Sequence, residues 1–416
     1  MRTGVTVADD AAVSRHIAVF SFPAYAHVAP VLPIVAELVR RGHRVTFAVV
    51  DEFAAKVAAT GAEVLPYTST FPWATGLGDT ASDGYALRAM LAFMGEGLAP
   101  LDAAMRRFAD DPPDLVVHDL AASETARLIA RKFSVPTVQS VPEFASNEHF
   151  RLNEAQAETD AAAPPDLTDP ALAAFVEHAG QLLARHGLSD VDTGVGDPGY
   201  HLVYLPKAFQ IHGETFGDRF AFIGPCFDRT APPGEWTPPA DGLPLVLISL
   251  GTSRSREQVG FFRKCVRAFT GQPYHVVLTL GRWVDPAELG PLPDNIEAHP
   301  FVAHAALLPH TKVFVTHGGL GSAMEALHYG VPMVVTPSQS DQVVTAARIA
   351  DLGLGQVVSR TDVTEDELLE AVATTASDPV VAQRVRWMSE QVALAGGETR
   401  AADAVESWLR TKVEAK

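Results

Sequence analysis

The sequence predicts an α/β fold of two doubly wound, Rossmann-like halves, and three observations carry that expectation. Short apolar runs alternate with helix-like segments along most of the chain, the pattern of parallel strands covered on both faces. The 416 residues exceed what one hydrophobic core usually supports, and 47% of them are apolar, enough for two. Between Phe222 and Leu243 the composition turns to Pro, Gly and polar residues, with Pro232-Pro233-Gly234 and Pro238-Pro239 unable to continue a helix or an inner strand.

In chain order, strand-like His16 to Phe22 precedes helix-like Val31 to Arg41, Arg44 to Val50 precedes Glu52 to Thr60, and Asp114 to His118 precedes Ser123 to Phe133. These belong to a first domain over 1–225, followed by a linker over 226–242. The alternation resumes in a second domain over 243–390. It runs Pro244 to Leu250, a helix from Gln258, His275 to Leu280, Val313 to Thr316, helix Gly321 to Tyr329, Pro332 to Thr336 and helix Val343 to Leu352. In the remaining segment, 391–416, Gln391 to Val413 has a helical pattern after Gly396-Gly397, with Ala404, Val405, Trp408 and Leu409 on one apolar face. Doubly wound sheets bind ligands beyond the carboxyl ends of their strands, so two such domains facing across a cleft would each hold one substrate.

Charge and cysteine usage remove several classes of function. The net charge of −18 argues against nucleic acid or an anionic membrane as the main partner. Cys226 and Cys265 are the only cysteines, without CxxC or zinc-type spacing, so neither a disulfide framework nor a structural metal is expected. Met1 to Arg15 is polar and carries Asp9 and Asp10, unlike a signal peptide, and no apolar run reaches membrane-spanning length. The expectation is a cytoplasmic protein, monomer or homodimer, with no membrane partner.

The most informative run is His317-Gly318-Gly319-Leu320-Gly321-Ser322-Ala323-Met324-Glu325-Ala326-Leu327, which follows strand-like Lys312 to Thr316 and opens a helix. In that context backbone N–H groups point where a diphosphate would sit, and glycines such as Gly319 and Gly321 let the chain approach it closely. His317 and Ser322 add donors, and Glu325 adds a carboxylate one turn beyond Ser322. The same letters also serve as a tight turn with close packing.

The loop after the first strand, Ser21-Phe22-Pro23-Ala24-Tyr25-Ala26-His27-Val28-Ala29-Pro30, contains no glycine, which disfavours a nicotinamide-binding GxGxxG. It contains His27 instead, whose imidazole can take a proton from a hydroxyl near neutral pH; a lone His is also often structural. Asp119 ends the strand Leu115-Val116-Val117-His118 and reaches the same sheet edge, either to orient His27 or to cap the next turn.

Together with Phe301-Val302 upstream and Pro337-Ser338-Gln339-Ser340-Asp341-Gln342 downstream, the glycine run resembles the donor-site signature of family 1 glycosyltransferases, in particular the macrolide glycosyltransferases of actinomycetes. The resemblance covers essentially the whole chain. It implies the GT-B fold, with the C-terminal end crossing back onto the first domain, and an inverting enzyme with no covalent intermediate. His27-Val28-Ala29-Pro30 matches the family's Gly-His-x-x-Pro base loop except that Ala26 replaces glycine, and Ala29 stands where many relatives have Asn. The resemblance makes His27 the general base and Asp119 its partner. It places Phe301, where relatives usually have Trp, against the uracil, and Val302-Ala303-His304 in place of Val-Pro-Gln. Ser249-Leu250-Gly251-Thr252-Ser253 matches the strand-end hydroxyl motif, so Ser249 and Thr252 border the phosphates, although such hydroxyls also close turns. Asp341 and Gln342 hold hydroxyls of the transferred sugar, with Thr345 where relatives often have Asn; this suits UDP-glucose, with a dTDP-sugar as the alternative.

The acceptor is read from the loop-like segments Thr68 to Asp83, Pro142 to His149 and Arg151 to Thr168. Phe71, Trp73, Phe144 and Phe150 among small residues suggest a wide apolar pocket for a hydrophobic, hydroxylated acceptor such as a macrolide, another macrocyclic polyketide or a phenol, and ordinary core packing is the competing reading. Asp190-Val191-Asp192 has the letters of a metal-binding DxD but sits beside Gly194 and Gly196, away from any strand end, so no metal and no cofactor beyond the UDP-sugar co-substrate is expected. The alternatives are a dTDP-deoxysugar transferase of natural-product biosynthesis and a non-catalytic nucleotide-sugar binding protein; among glucosyl transfers, antibiotic inactivation is one expected role.

Overall fold

The computed structural model describes residues 14–77, 82–121, 123–157, 164–190, 199–227, 236–240, 242–251 and 257–414. Asp9, Asp10, Val191, Asp192, Gly194, Gly196, Pro232-Pro233-Gly234, Thr252 and Ser253 lie outside them. Thirteen strands are present among the described residues: β1 His16–Phe20, β2 Arg44–Val49, β3 Glu63–Pro66, β4 Leu115–Asp119, β5 Thr137–Val141, β6 His201–Val203, β7 Phe220–Phe222, β8 Leu245–Ser249, β9 His275–Thr279, β10 Ile296–His299, β11 Thr311–Thr316, β12 Met333–Val335 and β13 Gly355–Val357.

They form one sheet of order β3-β2-β1-β4-β5-β6-β7 and a second of order β10-β9-β8-β11-β12-β13. In the second sheet every neighbouring pair is parallel. Each sheet reverses direction of growth at one place, between β1 and β4 in the first and between β8 and β11 in the second, which are the switch points where ligands bind in doubly wound folds.

Apolar burial explains the second sheet directly. Leu245, Leu247, Phe314, Met333 and Val335 enter one core, whereas Val246, Ile248, Val313, Val315 and Val334 enter another. Successive strand residues point to opposite faces, so strands buried on both sides read as unbroken apolar runs. In the first sheet Ala18, Phe20, Ala48 and Val116 pack with Phe108, Ala126 and Ile129.

The chain divides into two compact units. The first comprises Met1–Ser140, Ala163–Leu202 and Glu398–Lys416; the second comprises Val141–Ala162 and Val203–Gly397.

Local signals set the helices. Asp169 and Asp378 each cap a helix that begins with proline, Pro170–Arg185 and Pro379–Ala395, by accepting from backbone N–H groups. Thr364 and Glu367 form a reciprocal capping box for Glu365–Ser377. The helical pattern expected after Gly396-Gly397 is the helix Gly397–Glu414; Gln391 lies in the preceding helix Pro379–Ala395, which left-handed Gly396 (φ 89) and Gly397 (φ 57) separate from it. Within the first unit this last helix is tied down by Arg41, which donates to Asp403 (2.7 Å) and Glu406 (3.0 Å), and by the Trp408 indole, which donates to the Thr137 carbonyl. Arg151 to Thr168, expected as a loop, contains the short helix Leu152–Ala157, where Leu152 is buried. No helix among the described residues is long and apolar enough to cross a membrane. Cys226 and Cys265 are buried, and burial pushes the Cys265 thiol up.

Candidate active site

In the first unit the switch point lies between the ends of β1 and β4. The chain leaves β1 through Ser21 and Phe22, makes the short helix Tyr25–Val28 and enters the helix Val31–Arg40; His27 sits in that connection. Asp119, the last residue of β4, has no exposed surface. Its Oδ2 accepts from His27 Nδ1 at 2.9 Å, and its Oδ1 accepts from the Ala121 N–H at 2.7 Å. The two roles left open by the sequence are therefore filled together, one carboxylate oxygen closing the turn and the other orienting the imidazole. With the Nδ1 proton directed at a carboxylate, Nε2 is the basic nitrogen. The carbonyl of Asp119 in turn accepts from His118 Nδ1 at 3.0 Å.

Within the first unit an aromatic cluster adjoins His27 through Phe22. The Phe22 ring lies 5.4 Å from the His27 ring, and Phe71, Phe93 and Trp73 lie 5.1, 5.1 and 5.6 Å from Phe22. Trp73 keeps 48% of its surface exposed. Phe22 and Phe93 were missed by sequence reasoning; Phe22 stands two residues past a strand end beside a candidate base, which is the signal that could have found it. Phe144 and Phe150 belong to the second unit, Phe71 and Trp73 to the first. Phe144 is 4% exposed, stacks on Phe209 at 5.7 Å and meets Phe150 at 6.3 Å in the core of the second unit. Its ring area is consumed by packing, the competing reading given above.

In the second unit the switch point lies between β8 and β11. Ser249 is buried at the end of β8, and His317 follows β11 directly. A Cβ on Gly251 would stand 2.6 Å from the His317 ring, and one on Gly319 would stand 2.5 Å from its Nε2. The imidazole thus lies against two glycines at which an added Cβ would collide with it, and Gly251 (φ 75) also needs glycine for its backbone. Burial, with Arg360 and His304 nearby, brings the His317 pKa down to about 3. It acts as a neutral hydrogen-bonding group.

The helix Leu320–His328 starts from Gly319 with no side-chain cap, so the first N–H groups, at Leu320, Gly321 and Ser322, present its positive end. Glu325, one turn on, accepts from His304 Nδ1 at 2.7 Å, a pairing that the sequence did not reveal because the two stand 21 residues apart. Phe301 is 78% exposed on the segment after β10, and half-buried Val302 packs against the core. Asp341 opens the helix Ser340–Asp351, and the protein around its carboxyl raises the pKa by desolvation. Gln342 is buried, with Oε1 accepting from the Ser338 N–H at 3.0 Å and Nε2 donating to Gln339 Oε1 at 3.1 Å. Arg360, also missed, donates to the Thr336 carbonyl and to Ser338 Oγ, and burial lowers its pKa to about 10. Asp190 is exposed and described; no group of three His, Cys, Asp or Glu side chains suited to a metal occurs among the described residues.

Two parallel-sheet Rossmann-like halves, one with a carboxylate-oriented histidine at its switch point and one with a glycine-lined helix N-terminus at its own, define a glycosyltransferase of the GT-B class. Residues 273–402 match the erythromycin biosynthesis protein CIII-like C-terminal domain. The chain is 38% identical over 410 residues to the demethyllactenocin mycarosyltransferase of Streptomyces fradiae, covering 95% of this chain and 86% of the relative. It is 37% identical over 413 residues to the oleandomycin glycosyltransferase of Streptomyces antibioticus, covering 96% and 92%. The crystal structure of the calicheamicin glycosyltransferase CalG4 superposes with a TM-score of 0.82 at 36% identity, covering 95% of this chain and 98% of that one. The chain belongs to the family 1 glycosyltransferases of the macrolide type, and it is an enzyme.

Proposed function

We propose that this enzyme transfers glucose from UDP-glucose to a hydroxyl of a hydrophobic natural product such as a macrolide or another macrocyclic polyketide, with inversion at the anomeric carbon and without a metal. The observation that carries the reading is the 2.9 Å contact between His27 and Asp119 at a sheet switch point, beside exposed aromatic surface. His27 Nε2 takes the proton of the acceptor hydroxyl as its oxygen bonds to the anomeric carbon of the sugar. The bond from that carbon to the diphosphate oxygen breaks on the opposite face, and the developing charge on the leaving nucleoside diphosphate is met by the N-terminus of Leu320–His328 and by neutral His317. Ser249 borders the phosphates, Phe301 stacks on the base, Glu325 receives the ribose, and Asp341 with Gln342 receives the sugar. The cell interior is the expected location, in keeping with a chain that carries only two cysteines.

A second reading, transfer of a deoxysugar from a dTDP donor, is favoured by one observation: the relative at 38% identity is named a mycarosyltransferase. Mass spectrometry separates the two. Wild type and His27→Ala are incubated with UDP-glucose or a dTDP-deoxysugar, with EDTA present, against macrolides, ansamycins and polyphenols. A gain of one hexose in the wild type that collapses in the variant supports the first reading. A deoxyhexose gain alone moves the assignment to the second, and nucleotide binding with no transfer to anything leaves a nucleotide-sugar binding protein.

A further inference from the structure

We propose that Glu96 is a positioning residue for the acceptor: its buried carboxylate fixes the loop that carries Phe71 and Trp73 against Phe22, the ring next to His27, and so sets which lipophilic acceptors reach the base. The inference rests on the transferase reading above. Glu96 lies on the helix Tyr85–Leu98 and is 1% exposed. A carboxylate at that depth persists only when its oxygens are hydrogen-bonded. Oε1 accepts from the Tyr67 hydroxyl at 2.9 Å. Oε2 accepts from Ser69 Oγ at 2.8 Å, the Thr70 N–H at 2.8 Å, the Phe71 N–H at 2.9 Å and Thr70 Oγ1 at 3.3 Å.

Every one of these donors comes from residues 67–71, the segment leading out of β3. Ser69 Oγ passes the connection on, because it also accepts from the Trp73 indole N–H at 3.0 Å. One turn earlier on the same helix, Phe93 meets Phe71 at 5.3 Å. A single helix therefore holds the loop backbone through Glu96 and the loop rings through Phe93. Burial and the Glu96 carboxylate push the Tyr67 phenol far above its usual range, which keeps it a donor. A loop of this kind without internal strand pairing would otherwise sample many conformations, and ordering it in advance removes that entropy from acceptor binding.

The chemistry also states what can replace Glu96. A glutamine can turn its carbonyl oxygen toward the loop and donate its NH2 to Tyr67, whose hydroxyl accepts as well as donates. An alanine leaves the Thr70 and Phe71 N–H groups without the carboxylate. The test compares wild type, Glu96→Ala, Glu96→Gln and Ser69→Ala on a bulky macrolide and on a small phenol. Its readouts are KM and kcat for each acceptor, UDP affinity by calorimetry, and hydrogen exchange at the Thr70 and Phe71 amides. Glu96→Ala is expected to raise the macrolide KM about tenfold or more, to change the small-phenol KM less than about threefold, and to deprotect both amides, with UDP affinity unchanged. Glu96→Gln restores the macrolide KM to within about threefold. Should Glu96→Ala not fold, Ser69→Ala, which leaves the carboxylate its other donors, shifts the same ratio by about threefold. Equal losses on both acceptors, a fall in UDP affinity, or an unmoved acceptor ratio overturns the proposal while leaving the transferase reading in place. A wild type that binds UDP and glycosylates nothing overturns both.

Discussion

Each unit places a histidine at its switch point, His27 after β1 in the first and His317 after β11, the counterpart of β4, in the second, and the two have opposite surroundings. At the end of the first sheet His27 is paired with a buried carboxylate, which fixes its tautomer and supports the imidazolium that forms when it accepts a proton. At the end of the second, His317 lies against Gly251 and Gly319, and desolvation by burial, with the charge of Arg360 adding to it, keeps it neutral. The fold supplies the location, and in the proposed mechanism the neighbours decide whether the ring serves as a base or a donor.

Breaking the first environment has the largest expected effect. His27→Ala is expected to lower kcat by about 1000-fold, and Asp119→Asn by about 100-fold through the wrong tautomer, both without changing UDP affinity. Steady-state kinetics with calorimetry on the same samples checks this; a comparable loss of nucleotide affinity would place His27 elsewhere in the mechanism.

The next effect is on stability. His118, fully buried beside Asp119, has its pKa brought down to about 4 by burial, below the ordinary value of 6.5. The unfolded chain binds the proton first, so the contribution is complete above pH 6.5 and is lost as pH falls toward 4. It amounts to about 3 kcal/mol over that window. Urea unfolding at pH 7 and pH 4.5 should show a shallower pH dependence in His118→Asn than in wild type; parallel slopes would count against a buried neutral imidazole.

Gly251→Ala sharpens the comparison from the other side. Its Cβ meets the His317 ring and its φ of 75 is costly for alanine, so UDP affinity should fall about tenfold, while the pH profile of kcat is unchanged. An unchanged affinity would remove His317 from the phosphate site. The smallest effect is expected at Phe301→Trp, where a larger ring should tighten UDP about threefold. Fluorescence titration detects it, and weaker binding would contradict base stacking at the exposed ring.

Much of the fold was legible because strands buried on both faces leave continuous apolar runs, as in Leu245 to Ile248 and Val313 to Val315. Helix punctuation was also present but unread: Asp169-Pro170 and Asp378-Pro379 announce two helices, and Gly396 ends one of them. His27 and Asp119 were visible as strand-end residues, but their contact was not, since 92 residues separate them. Phe144 shows the limit most plainly. An aromatic ring in a loop has the same letters whether it lines a pocket or fills a core, and only its stacking on Phe209 decides.

The sequence by itself determined the two doubly wound halves, the strand-end loops that carry the chemistry and the family, because periodicity, turn residues and motif spacing are local properties of the chain. Tertiary structure decided which side chains meet: Asp119 divided between His27 and the turn, Glu325 engaged by His304, Glu96 collecting its donors from residues 67–71, and both His118 and His317 held neutral. Hydrogen-bond partners and desolvation depend on residues far apart in the chain, and folding is what brings them within reach.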